Sequence, residues 1–257
     1  MKRDFCVIVT VKNEATMLPL WFEYYLKHVE PCDIYVEDDS STDDCMSFVP
    51  KGVHISTVPQ QRSCVPNNLL IHVTDRIAEL LRSYECVLFA EADELMIAHD
   101  NDLRGFVRSL IASSAEYHVV YNVDVIHNVN CEPPVDINMR PLLRQRQHYV
   151  HIPKYNKAVF WKVRPRWSGN IHTVDGLRTA VQNQQLYYVH LHEFDFDMCN
   201  ARHKSRNVGA NHNFANLYNA NVDDQLRDWF IRKFNNPASL YTGASINLIP
   251  ESLKDSF

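Results

Sequence analysis

Glycine is scarce in this chain: 6 residues in 257, with no Gly-x-Gly anywhere. That removes the dinucleotide-binding fingerprint and the Walker A loop, so a bound phosphate must be held another way, most simply by a metal and cationic side chains. No stretch approaches the roughly 18 uninterrupted apolar residues of a membrane span. The chain begins Met1-Lys2-Arg3-Asp4 and enters a strand-like apolar run at once, so no signal peptide is expected. Seven cysteines (Cys6, Cys32, Cys45, Cys64, Cys86, Cys131 and Cys199) contain no Cys-x-x-Cys pair and no zinc-finger spacing. Several fall inside predicted strands, where a free thiol packs as a small apolar group. Their odd number and scatter favour a reducing compartment over a disulfide framework, and the expected location is cytoplasmic. Excess positive charge is missing too: the formal net charge of -5 argues against a nonspecific nucleic-acid binder.

What is present reads as ordinary globular protein, 46% hydrophobic and 22% charged, and long enough for one α/β domain with a sizeable core. There is no internal repeat, low-complexity tract or convincing linker. The most informative stretch runs from Val87 to Ile97, where Glu91, Asp93 and Glu94 separate two apolar runs. Apolar runs of this length read as buried strands, which puts three mutually repelling carboxylates where a strand ends. A divalent cation compensates such a cluster; a solvated acidic loop is the alternative.

Two earlier strands end in the same manner. Cys32 to Val36 leads into Glu37-Asp38-Asp39-Ser40-Ser41-Thr42-Asp43-Asp44, a polar turn, and Phe5 to Val11 leads into Lys12-Asn13-Glu14. In open α/β sheets, ligands bind outside the carboxyl ends of the strands. Thr10, Lys12, Asn13, Glu14, Asp38, Asp39, Glu91 and Asp93 are therefore candidates for one shared crevice.

The order Thr10-Val-Lys-Asn-Glu14, then Glu37-Asp-Asp-Ser-Ser-Thr-Asp43, then Glu91-Ala-Asp-Glu94 resembles the nucleotide-sugar half of family 2 type glycosyltransferases with the GT-A fold. The resemblance covers about the first hundred residues. It implies that the first two motifs hold the nucleotide, with Thr10, Glu14 and Asp39 on base and ribose. It implies further that Asp93, helped by Glu91, binds Mn2+ or Mg2+ on the donor diphosphate. Glu91 stands where that family usually has Asp. A basic residue near Arg62 or Arg76 is implied to approach the diphosphate.

Elsewhere the chain alternates strand and helix signals. Leu18 to His28, Asn67 to Leu81 and Leu103 to Ile111 carry helical spacing, while Val53 to Val58 and Tyr117 to Ile126 read as strands. The aromatics Trp21, Phe22 and Tyr25 are read as core. This order predicts a mostly parallel, mixed sheet covered on both faces. Asn128 to Arg140, with Pro133-Pro134, reads as a loop; Leu142 to Val150 and Ala158 to Val163 are expected to pair as antiparallel strands. Arg140, Arg144, Arg146, Lys154, Lys157, Lys162, Arg164 and Arg166 concentrate here, either as a solvated face or as a binder of an anionic acceptor or donor phosphate. Gln225 to Phe234 is a predicted helix in a carboxyl-terminal extension, 221–257, following a GT-A domain over 1–220 divided near residue 100.

A second constellation runs from Ser168 to Gly176 and from Tyr187 to Asp195. Alternate strand residues share a face, so His190 and His192 are expected to point the same way and are candidate metal ligands. The resemblance extends weakly here, implying a His-containing strand over the diphosphate followed by the basic residues Arg202 and Lys204. The expected activity is metal-dependent transfer of a hexosyl or deoxyhexosyl group from a nucleoside-diphosphate sugar to an acceptor hydroxyl of a glycan or other molecule, with inversion. Asp175 is the first candidate for general base, ahead of Asp195 and Glu193. A catalytically silent nucleotide-sugar binder, a nucleotidyltransferase and a metal-dependent hydrolase are the rivals.

Overall fold

A computed structural model describes residues 2–59, 66–168, 170–175, 180–207 and 222–257. The chain is a mixed α/β protein that divides into two compact units, 1–121 with 154–188, and 122–153 with 189–257. The segment expected as an extension belongs to the second unit. Among the described residues, no helix is long and apolar enough to cross a membrane.

The first unit is built on strands β1 (Arg3–Val11), β2 (Ile34–Asp38), β3 (His54–Thr57) and β4 (Tyr84–Phe89), all parallel, in the order β4-β1-β2-β3. Antiparallel β8 (Lys157–Trp161) extends the sheet beyond β4, and the first residues of β6 (Tyr117–Val125) extend it beyond β8. In β1, Cys6, Val7, Ile8 and Val9 are all fully buried, as a strand covered on both faces requires. Cys6 and Ile8 pack with Val73, Ile77, Leu80 and Leu81, which come from or just follow helix α2 (Pro66–Leu80). Burying this stripe on the sheet fixes the orientation of the helix, while Ile71, expected inward from its spacing, is half exposed and lies off the stripe.

Helix α1 (Met17–Tyr25) is apolar nearly all round, and such a helix is buried. Met17, Leu18, Leu20, Trp21, Phe22, Tyr24 and Tyr25 are all buried, in agreement with a core role for its aromatics. The phenols still need partners at that depth. Tyr24 donates to the Met96 carbonyl and Tyr25 to the Glu94 carbonyl, which ties α1 to strand β5 (Glu94–Ala98). Helix α3 (Leu103–Ala112) opens on Asp102, whose carboxylate accepts the Gly105 amide, and buries Leu103, Phe106, Val107 and Leu110.

In the second unit the end of β6 pairs antiparallel with β7 (His148–His151), and β7 pairs antiparallel with β10 (Ser245–Leu248). Strand β9 (Ala180–His190), which belongs to the first unit through residue 188, leads into helix α4 (Phe196–Asn207); α5 (Val222–Asn235) and the short α6 (Glu251–Lys254) complete the second unit. The expected pairing of Leu142 to Val150 with Ala158 to Val163 is corrected here. Leu142–Gln145 is a 3-10 turn after Pro141, which cuts the strand to His148–His151. Strand β7 pairs with β6 and β10, and β8 with β4 and β6.

Candidate functional site

Because β1, β2 and β4 are adjacent and parallel, their carboxyl ends lie at one end of the sheet. The register sets Thr10 beside Glu37 and Val11 beside Asp38, with Ile8 beside Phe89. Thr10, Lys12, Glu14, Asp38, Asp39, Glu91 and Asp93 therefore stand at or just beyond the same end of the sheet. Arg62 lies outside the described residues.

The first two loops are laced together. Asn13 sits in the left-handed region at φ 55°, which Asn tolerates better than most residues. Its side-chain oxygen accepts the Thr42 amide at 2.7 Å, and its own amide donates to Ser41 Oγ at 3.1 Å. Ser40 has φ 59°, and the Ser41 amide donates to Asp38 Oδ1 at 2.9 Å. Lys12 Nζ donates to the Asp39 carbonyl at 2.6 Å, and the Ala15 amide to Asp43 Oδ2 at 3.0 Å. Lys12 and Asp43 thus shape the loops, while Glu14 and Asp39 are buried carboxylates within them. Glu37, fully buried, accepts from His72 Nε2 at 2.9 Å and Arg76 Nε at 2.8 Å, clamping α2 to the end of β2. Arg76 is committed to that clamp and to Glu79.

The acidic triplet separates into three roles. Glu91 and Glu94 close a tight turn, the Glu94 amide donating to the Glu91 carbonyl at 3.0 Å and the Glu91 amide to Glu94 Oε2 at 2.9 Å. Lys157 Nζ, fully buried, donates to Glu94 Oε1 at 2.7 Å and to Glu91 Oε2 at 2.9 Å. Tyr188 adds a hydrogen bond to Glu94 Oε1 at 2.6 Å. Burial pushes the Glu91 carboxyl up, and Lys157 more than reverses this, leaving it at about 2. Burial likewise opposes the Lys157 charge, but Glu91 and Glu94 overcome it and raise the ammonium above its ordinary value. The cation compensating Glu91 and Glu94 is therefore a lysine of the chain itself. Asp93, the third carboxylate, is 6% exposed. As a hard oxygen donor at the strand end, it suits Mn2+ or Mg2+, which are commonly held by one or two carboxylates plus substrate phosphates.

A cleft of about 220 Å3 opens beside these loops, lined by Thr10, Leu69, Leu70, Val73, Phe89, Glu91, Asn170 and Ile171. That is below the roughly 300–1,000 Å3 of whole small-molecule sites, and is room for one ring system rather than an entire sugar nucleotide. Asn170 and Ile171 belong to a segment that folds back on itself. Trp167 bridges Val174, and the Asp175 amide donates to the Arg166 carbonyl at 2.7 Å. Asp175, exposed, stands at the base of this turn.

The remaining candidates lie in the second unit. The His190 and His192 rings stack 5.6 Å apart, so the two do share a face. His190 Nδ1 pairs with Asp124 Oδ1 at 2.8 Å. Glu193 is buried between Lys233 Nζ at 2.6 Å and Trp229 Nε1 at 2.9 Å, and Lys233 also reaches Asp124 Oδ2 at 3.0 Å. Burial raises the Asp124 and Glu193 carboxyls, but Lys233 turns both shifts downward. Asp195 caps α4 through the Met198 amide at 3.0 Å and pairs with buried Arg146 at 3.0 Å. Glu193 and Asp195 are thus both held in buried networks. Arg202 is buried with Nη1 3.3 Å from His192 Nδ1, whereas Lys204 is exposed and paired with Asp223.

The basic concentration over residues 140–166 does not form one face. Arg144 pairs with Asp255, Arg146 with Asp195, Lys157 with Glu94, and Arg164 with Asp75, while Lys162 caps the carbonyls at the end of α3. Sequence reasoning placed Lys157 with that cluster and missed its place beneath the acidic turn. The available signal was a lone cation opening the otherwise apolar strand Lys157-Ala-Val-Phe-Trp161.

The chain is thus a mixed α/β protein with three acidic or polar strand endings at one end of a parallel sheet. No protein-family model matches it, and no curated protein matches it. Solved structures similar to it include glucosyl-3-phosphoglycerate synthase from Mycobacterium tuberculosis in complex with Mn2+, UDP and glucosyl-3-phosphoglycerate; with Mn2+ and UDP-glucose; and with Mg2+ and UDP. In each case the identity is 17%, the TM-score 0.35, and the match covers 47% of this chain and 44% of the other. The matched region spans less than half the length of those enzymes, and at this level the likeness does not carry their activity to this chain.

Proposed function

We propose that this protein is a glycosyltransferase of the GT-A type, moving a sugar from a nucleoside-diphosphate sugar to an acceptor hydroxyl. The observation that carries the reading is the convergence of the β1, β2 and β4 endings, which brings Thr10, Glu14, Asp39 and Asp93 to one sheet end beside a ring-sized cleft. In this reading the nucleoside enters that cleft, with Thr10 on its wall and the Glu14 and Asp39 carboxylates accepting hydrogen bonds from base and ribose. Asp93 holds Mn2+ or Mg2+, which when bound supplies positive charge to the leaving diphosphate.

Asp175 is the proposed general base. The turn that carries it also places Asn170 and Ile171 in the cleft wall, and Glu193 and Asp195 are committed elsewhere. It would take the proton of the attacking acceptor hydroxyl as that oxygen bonds to the anomeric carbon and the diphosphate departs. A single displacement of this kind inverts the anomeric centre and needs only one base. One observation favours a rival: Glu91, at the position of the usual first metal-motif aspartate, is already paired with Lys157, as suits a scaffold that binds nucleotide sugars without turning them over.

A panel of nucleotide sugars, incubated with and without Mn2+ and read by diphosphate release, decides between the two. The proposal expects Mn2+-dependent release from one donor class, abolished in Asp93→Asn. Donor binding without release would favour the silent binder.

A further inference from the structure

The second unit holds a cluster of ligands softer than carboxylates. Cys199 and His203 are four residues apart on α4, so their side chains leave the same helix face. His192 lies seven residues before Cys199, in the segment that joins β9 to α4. One ligand atom from each of these three side chains lies within 4.8 Å of the other two. The His192 and His203 rings meet edge to face at 5.1 Å. Cys199 is buried, and both histidines are half-buried.

We infer that His192, Cys199 and His203 form a binding site for a thiophilic divalent ion of the zinc class. A tetrahedral zinc with bonds of about 2.0–2.3 Å sets its ligand atoms roughly 3.5 Å apart, so closure asks for about 1 Å of side-chain movement. Two imidazoles and a thiolate favour zinc or cobalt over manganese or magnesium, which prefer oxygen. Three protein ligands leave the fourth position to water or an added ligand. Binding requires Cys199 as thiolate, its proton passing to solvent. It also moves Arg202, whose Nη1 now lies 3.3 Å from His192 Nδ1. An ion on Nδ1 takes that lone pair, and an ion on Nε2 shifts the ring proton onto Nδ1; neither leaves an acceptor there for the guanidinium.

The test is a Co2+ titration of the whole chain under reducing conditions without nucleotide, read by absorption. One equivalent is expected to give the visible bands of tetrahedral cobalt and a thiolate-to-cobalt charge-transfer band, both erased by one equivalent of Zn2+ and unaffected by Mn2+. The charge-transfer band should vanish in Cys199→Ser. In His203→Ala, which keeps the thiol, Co2+ affinity should fall by at least about tenfold, the lower end of what even outer-shell changes cost. Circular dichroism confirms that each variant is folded. A wild-type chain without the band, a band that survives in Cys199→Ser, or displacement by equimolar Mn2+ each overturns the inference. None of these readouts depends on a nucleotide sugar, so failure here and failure of the glycosyltransferase reading are separate results.

Discussion

Replacing Lys157 with methionine should destabilise the protein more than any surface change, because it strands a buried carboxylate. Lys157 and Glu94 are both fully buried, and the ammonium makes bonds of 2.7 and 2.9 Å to Glu94 and 2.9 Å to Glu91. Breaking a buried ion pair by removing one partner costs about 3–5 kcal/mol, mostly through the uncompensated charge left behind. Glu94 keeps two donors, the Tyr188 hydroxyl and the Glu91 amide, so the low end, about 3 kcal/mol, is expected. With a urea slope of ~3 kcal/mol per molar, that lowers the unfolding midpoint by about 1 M. The pair Lys157→Met with Glu94→Gln removes both charges and leaves an amide that still accepts from Tyr188. Most of the loss should return, giving a coupling of about 2 kcal/mol or more in the double-mutant cycle. A loss under about 1 kcal/mol in the single variant, or strictly additive losses, would refute the view that Lys157 and Glu94 form the internal counter-charge of the acidic turn.

Three further outcomes follow from the same geometry. Asp39→Ala should weaken binding of the free nucleoside diphosphate by calorimetry whether or not metal is present; a deficit confined to the metal-dependent part would move Asp39 into the metal site. Asp175→Asn should lower turnover by roughly a hundredfold or more at unchanged donor affinity, the scale for loss of a general base. Glu193→Gln and Asp195→Asn should instead lower the melting temperature, and collapse of turnover in a fully stable Glu193→Gln would transfer the role to it. Acid titration followed by circular dichroism should register Glu91: its folded pKa is depressed to about 2, so its contribution is complete above the unfolded value near ~4.3 and fades as pH falls through about 2. In Lys157→Met, where the depressing charge is gone and burial alone acts on the carboxyl, that acid-side loss should disappear, and the gap to the wild type should narrow as pH falls.

The strand endings were legible because each is local: an apolar run followed by carboxylates specifies both a strand and what stands at its tip. Helices α1, α2 and α3 were legible for a similar reason, their apolar spacing being set by a few consecutive turns. The fate of individual charges was not, since Lys157 meets Glu94 across 63 positions and Lys233 meets Asp124 across 109. Such pairings depend on the tertiary fold, and a run of basic residues in sequence became five separate pairings in space. The division into two units was also hidden, because β6 and β9 run continuously across it with no linker to mark the boundary. The pairing of the general-base candidates Glu193 and Asp195 with Lys233 and Arg146 has no local sign in the sequence either.

A metal-assisted nucleoside-diphosphate site at the carboxyl ends of β1, β2 and β4 is tested by calorimetry of UDP, GDP, ADP, CDP and dTDP with and without Mn2+ on the wild type and Asp93→Asn. One diphosphate should bind the wild type at least about tenfold more tightly with Mn2+, and that gain should disappear in Asp93→Asn while its metal-free affinity and circular dichroism stay unchanged. An equal Mn2+ effect in both proteins, or no binding of any of the five, would contradict the assignment.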